Sequence, residues 1–287
     1  MAKISESYPP GSAVTTGHLF LLIGIAILLG AVAAMVFVPL SAYIVPDKVY
    51  QGFLSGALVS LFSFLLAPVV LKGFFAAKRE PFYLRFARPA LTLTRTGQAL
   101  VVMLLMIPTV SLLSLAMSCV PLPEALKPVQ EAVEAQTMLF LNESRPAGII
   151  LALLFLAIVA PLSEECFFRG GLMGWGLAKA GKPHLWVWLV ALIFALAHFE
   201  WIGLPARFFM GAVLGYVALY GGLPMAVMTH AFNNLFVYLF YKFTGLQDPF
   251  FSSPESLTLP RFAFLLFAAA VTLSALIFLL KKLSSSK

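Results

Sequence analysis

Eight stretches of this chain are apolar over lengths that approach or exceed the ~18–20 residues a helix needs to cross a bilayer. They lie at roughly 19–45, 51–71, 98–120, 147–178, 185–203, 205–221, 224–241 and 262–280. Inside hydrocarbon, every backbone polar group must be satisfied within the protein, which leaves helices or a closed barrel. Continuous apolar runs, without strict alternation, select the helix. The expected fold is therefore all-α: a polytopic membrane helical bundle of about eight transmembrane helices, forming one membrane domain over residues 1–287. The fourth run contains Pro161 and four glycines, Gly170, Gly171, Gly174 and Gly176. That composition predicts a span that is kinked, strongly tilted or broken in two. Overall, 61% of the residues are hydrophobic and 11% charged, against roughly 25% charged in a soluble domain.

The formal charge of +7 does not point to nucleic acid, because the basic residues gather between apolar runs. Lys72, Lys78, Arg79, Arg85, Arg88 and Arg95 separate the second and third runs; Lys179 and Lys182 follow the fourth; Lys281, Lys282 and Lys287 end the chain. With both termini cytoplasmic, all of these fall on the cytoplasmic side, as the positive-inside rule requires. The opposite side then receives residues 121–146 with Glu124, Glu131, Glu134 and Glu143. Positions 124–142 mix apolar and acidic residues at helical spacing, as in a helix lying on the outer leaflet or a solvated loop with one short helix. The first apolar run exceeds a signal-peptide core and reads as a retained span, and the short polar N-terminus fits a bacterial cytoplasmic membrane. Cys119 and Cys166 form no CxxC or Cys/His zinc spacing. Cys166 adjoins an acidic pair, but no neighbour in sequence would generate its thiolate, so an inert buried thiol is expected.

The fourth run carries Ser163-Glu164-Glu165-Cys166-Phe167-Phe168-Arg169-Gly170. One charge at the bilayer centre costs about 2.5–3.5 kcal/mol on insertion scales, so ionisable residues there mark function or a paired structural device. Glu165 and Arg169 stand at i and i+4 and can pair. Glu164, rotated by about 100° on the helix, is left for a different neighbour. Adjacent carboxylates in unlike surroundings can hold unlike protonation states, which separates acid–base work from support. Two later runs supply partners: His198 in Phe194-Ala-Leu-Ala-His198, and His230 with Asn234 in His230-Ala-Phe-Asn-Asn234. Singly, each is as readily a hydrogen-bonding packing device. Asn233 is expected off the His230–Asn234 face, and His18 and His184 at span ends.

In order and spacing, EExxxR, FxxxH and HxxxN resemble the CPBP intramembrane proteases, the family of type II CAAX prenyl endopeptidases and of bacteriocin-processing or self-immunity (Abi-like) membrane proteins. Phe168-Arg169-Gly170, Gly211, Gly215 and Gly221-Gly222-Leu223 match as well. The resemblance covers about residues 150–240, within a family core at 147–241, and no motif position departs from the pattern. It implies hydrolysis of a peptide bond in a membrane-tethered peptide or protein, near the cytoplasmic side. By position, Glu164 with His198 would activate water, Glu165 and Arg169 would hold the geometry, and His230 and Asn234 would stabilise the oxyanion. Members are described both as glutamate proteases and as metalloproteases. Glu164, His198 and His230 could make a His₂Glu zinc site, yet the chain lacks HExxH. A cofactor-free, glutamate-type reaction is the expectation, with zinc as its alternative. A transporter or proton relay would use the same buried groups, but the polar residues are confined to three spans and no inverted repeat is visible. A non-proteolytic immunity or targeting protein would keep the fold.

Overall fold

The computed structural model describes residues 15–77, 91–180, 182–250 and 257–285. The basic residues Lys78, Arg79, Arg85, Arg88 and Lys287 lie outside them. Each apolar run folds as a helix, and no strand occurs among the described residues. Helix α1 is Thr16–Ile44. Helix α2 runs Lys48–Ser60, passes through a π-helical stretch, Leu61–Leu66, and continues as Ala67–Ala77. Helix α3 is Leu93–Ser118, and the amphipathic α4 is Lys127–Asn142. Helix α5 is continuous, built from Pro146–Leu154, π-helical Phe155–Val159, Ala160–Glu165, π-helical Cys166–Met173 and Gly174–Ala180. Then come α6 (Pro183–Leu196), α7 (Leu204–Gly221), α8 (Leu223–Thr244) and α9 (Leu259–Ser285).

Seven of these helices are long and apolar enough to cross a membrane; α6, within the fifth expected run, is apolar but has only 14 residues. At 1.5 Å per residue it extends about 21 Å, less than the ~30 Å hydrocarbon thickness. The fourth run is neither broken nor purely α-helical. Its first π stretch ends two residues before Pro161, and that of α2 ends two residues before Pro68. Proline lacks an N–H and clashes with the preceding turn, and a widened turn absorbs both effects.

Helix α7 is the most buried of the spans and lies at the centre, against α3, α5, α6, α8 and α9. Its glycines allow this: a Cβ on Gly211 would come within 3.1 Å of the Ala191 Cα, and one on Gly215 within 2.9 Å of the Val187 Cγ1. Such close backbone approach through small residues is the usual means of helix packing in lipid. The outer helices expose large apolar side chains instead, such as Phe20, Ile27 and Met35 of α1, which suit a lipid-facing surface.

Polar ties secure both ends of the bundle. At the end where α1 begins and α9 finishes, Trp175 Nε1 donates to the Thr15 carbonyl at 2.9 Å, and His184 Nδ1 lies 3.0 Å from the Tyr216 hydroxyl. At the opposite end, Tyr241 donates to Asn142 Oδ1 and the Trp201 N–H to Gln130 Oε1, so α4 packs over the bundle. There Arg145 bridges Asp47, which caps α2, and the buried Glu143. Arg145 holds the carboxyls of Asp47 and Glu143 down to about 2. Carboxylates lowered on folding stabilise the native state above their ordinary range, and that stabilisation disappears as the pH falls to about 2. Thermal unfolding of purified protein should therefore show Arg145→Ala less stable than wild type at pH 6, with the difference closing between about pH 4.5 and 2.

Candidate functional site

Glu164 lies about 27 Å along α5 from Pro146 and about 24 Å from Ala180, deep in the span. It and Glu165 stand between the two π stretches, which turn neighbouring residues away from regular helical positions. Glu165 is fully buried, and its Oε1 accepts from Arg169 Nη1 at 2.7 Å and lies 2.9 Å from His230 Nδ1. Arg169 reaches further: Nη2 donates to the Gly211 carbonyl at 2.9 Å, and the guanidinium rests on the Phe194 ring at 4.6 Å. The i,i+4 pair expected from sequence thus forms, and it joins α5 to α7 and α8.

Glu164 faces a different way, into a cavity of about 430 Å³ that His198, His230, Asn233 and Asn234 also line. Its Oε2 is buried, with no protein hydrogen-bond partner, and lies 3.8 Å from His198 Nε2 and 4.0 Å from His230 Nε2. His198 comes from the turn after the short α6. Its Nδ1 is 2.7 Å from the Phe194 carbonyl, and Phe199 follows with φ 53°, a left-handed conformation unusual for an aromatic residue. Such outliers persist where the surroundings impose them, often at functional sites. Here the turn directs His198 Nε2 back toward Glu164.

Asn234 lines the cavity but also has a structural partner. The Ala160 N–H bonds the Phe155 carbonyl in the π pattern, so the next carbonyl, of Leu156, faces Pro161, which has no N–H. Asn234 Nδ2 donates to that carbonyl at 2.9 Å. One N–H of the amide thus satisfies the backbone, leaving the other for a ligand. Asn233, expected off this face, also lines the cavity, with its amide 3.4 Å from Asn234 Oδ1. The widened α5 opens room on that side of α8, which helical spacing alone does not reveal. His18 and His184 lie at helix starts away from the cavity, and Cys166 is buried.

The sequence reading passed over Glu200 and Arg207, which form an ion pair at the cavity wall. The signal was present: both are charged residues in or beside the apolar runs 185–203 and 205–221, the same cue that singled out Glu164.

Both imidazoles have their Nδ1 beside an oxygen acceptor. In the neutral form this leaves both Nε2 lone pairs directed at the Glu164 carboxylate. Donor types and outer partners suit a zinc ion. The spacing does not: tetrahedral ligands at about 2.1 Å stand about 3.4 Å apart, and no group of three His, Cys, Asp or Glu among the described residues is placed to hold a metal. The cavity beside these groups has room for a water.

Residues 146–236 match the family model of type II CAAX prenyl endopeptidases, Rce1-like, in line with the CPBP resemblance, and the segment contains all six residues of the cluster. No curated protein and no solved structure matches the chain.

Proposed function

We propose that this multi-pass membrane protein, carrying a type II CAAX prenyl endopeptidase Rce1-like domain at residues 146–236, cleaves a membrane-tethered peptide with Glu164 as general base. The family supports a CAAX-type intramembrane endopeptidase. One observation carries the finer reading: the buried Glu164 Oε2, without a protein partner, points into the cavity within 4.0 Å of two imidazole nitrogens.

A water held there donates one hydrogen to Glu164 and the other to the His198 lone pair, leaving its own lone pair for the substrate carbonyl. As the C–O bond forms, Glu164 takes the proton, and the carbonyl oxygen becomes an oxyanion. Asn234 offers its free amide N–H to that oxygen. With Nδ1 donating to Glu165, His230 offers an Nε2–H only as the imidazolium, a cation seated between two carboxylates. Preorganised donors of this kind contribute about 10²–10³-fold in turnover. Glu164 then returns the proton to the departing amine, the C–N bond breaks, and the product is a new carboxylate. Glu165 and Arg169 act by positioning: they fix the His230 ring and bind the α7 backbone.

The test is a comparison of membrane proteomes from cells with wild type and Glu164→Gln, in which an uncut substrate should accumulate with the variant. A zinc-dependent version rests on the oriented Nδ1 atoms of His198 and His230. Purified protein should keep its activity in chelator and contain no stoichiometric zinc; zinc lost together with activity would overturn the metal-free mechanism.

A further inference from the structure

The cavity belongs to one end of the bundle. Its walls come from α4 (Thr137, Leu141), the last part of α3 (Ser114), the turn between α6 and α7 (Glu200, Gly203) and the first turn of α7 (Arg207). Thr137 is exposed and the Glu200–Arg207 pair partly so, which places the mouth there. None of the lining residues belongs to the end where Thr15 meets Trp175 and His184 meets Tyr216, where α1 begins and α9 finishes.

Charge distinguishes the two ends. Among the described residues, the segments at the end where α1 begins and α9 finishes carry six Lys and Arg and no Asp or Glu, whereas those at the cavity end carry six Lys and Arg against seven Asp and Glu. An excess of Lys and Arg in the connecting segments marks the cytoplasmic side. With cytoplasmic termini, as expected from sequence, the mouth would lie at the face opposite the one where cleavage was expected.

We propose that the cavity is entered from the non-cytoplasmic face, and that its substrate is a membrane-anchored peptide whose scissile segment has already crossed the bilayer. This rests on the endopeptidase reading for what the cavity does, but not for where it opens. A prenylated C-terminus displayed in the cytoplasm would meet the opposite, basic face.

Thiol accessibility tests this without any substrate. In a Cys119→Ser background, with Cys166 buried, single cysteines are introduced as Thr137→Cys at the mouth, Ser144→Cys at the same end and Lys182→Cys at the opposite end. Sealed spheroplasts are then treated with a charged, membrane-impermeant thiosulfonate. Thr137→Cys and Ser144→Cys should react at least tenfold faster than Lys182→Cys, which should need permeabilisation. The reverse order would overturn the proposal and place the mouth where a cytoplasmic prenylated peptide can reach it. Reaction at Ser144→Cys but not at Thr137→Cys would overturn it too, because the mouth would then be closed to that face. Labelling does not depend on catalysis, so active and inactive versions of the site give the same pattern, and failure of the protease reading is seen separately in Glu164→Gln.

Discussion

Glu164→Gln should lower kcat by at least about 100-fold, the lower range for loss of a general base, while the protein inserts and folds as before. The amide has the carboxylate's shape but cannot accept the proton of the attacking water. KM should change little, because the apolar cavity wall that would hold the peptide is unaltered. Stability should move the other way. One oxygen of the partly buried wild-type carboxylate, Oε2, is buried with no protein group to satisfy it, and burying such a charge is costly. The unfolding midpoint of the variant in detergent should therefore equal or exceed that of wild type, the trade expected where a site is kept strained for activity. Glu165→Gln differs: it removes the partner of Arg169 and His230 and should lower stability and turnover together. Equal cleavage by wild type and Glu164→Gln would remove Glu164 from the chemistry.

The spans and the charged cluster were legible because lipid makes both conspicuous: long apolar runs admit only helices, and Glu164, Glu165 and Arg169 stand out against them. Helical spacing also foretold the Glu165–Arg169 pair, and the motif order brought His198 and His230 to the same place. The first π turn of α5 was hidden because it follows from how Pro161 is accommodated, a backbone matter that no periodicity records. Hidden with it were the orphaned Leu156 carbonyl, its capture by Asn234 and the cavity-facing position of Asn233. The mouth was hidden for another reason. It depends on α6 ending at Leu196 with a left-handed Phe199 just beyond, while the apolar run itself continues to about residue 203. Glu200 and Arg207 needed no structure to be noticed, only the rule already applied to α5.

Arg169→Met should be the most destabilising change in the cluster. Arg169 is buried, compensates Glu165 and donates a further hydrogen bond to the Gly211 carbonyl, and its guanidinium lies on Phe194. Removing it leaves Glu165 as a buried carboxylate held by His230 alone and breaks the tie from α5 to the α7 backbone at Gly211. Breaking one side of a buried pair costs about 3–5 kcal/mol, whereas replacing both partners by uncharged groups of similar volume can be nearly neutral. Thermal unfolding in detergent should thus show a large loss for Arg169→Met and substantial recovery for Glu165→Gln/Arg169→Met. Arg169→Lys should fall between them, because a single ammonium cannot span Glu165 and the Gly211 carbonyl as a planar fork does. Activity should not recover with stability in the double variant, since His230 has lost the carboxylate that orients its ring. If cleavage does return together with the fold, the ion pair serves packing alone, and the orientation of His230 does not depend on it.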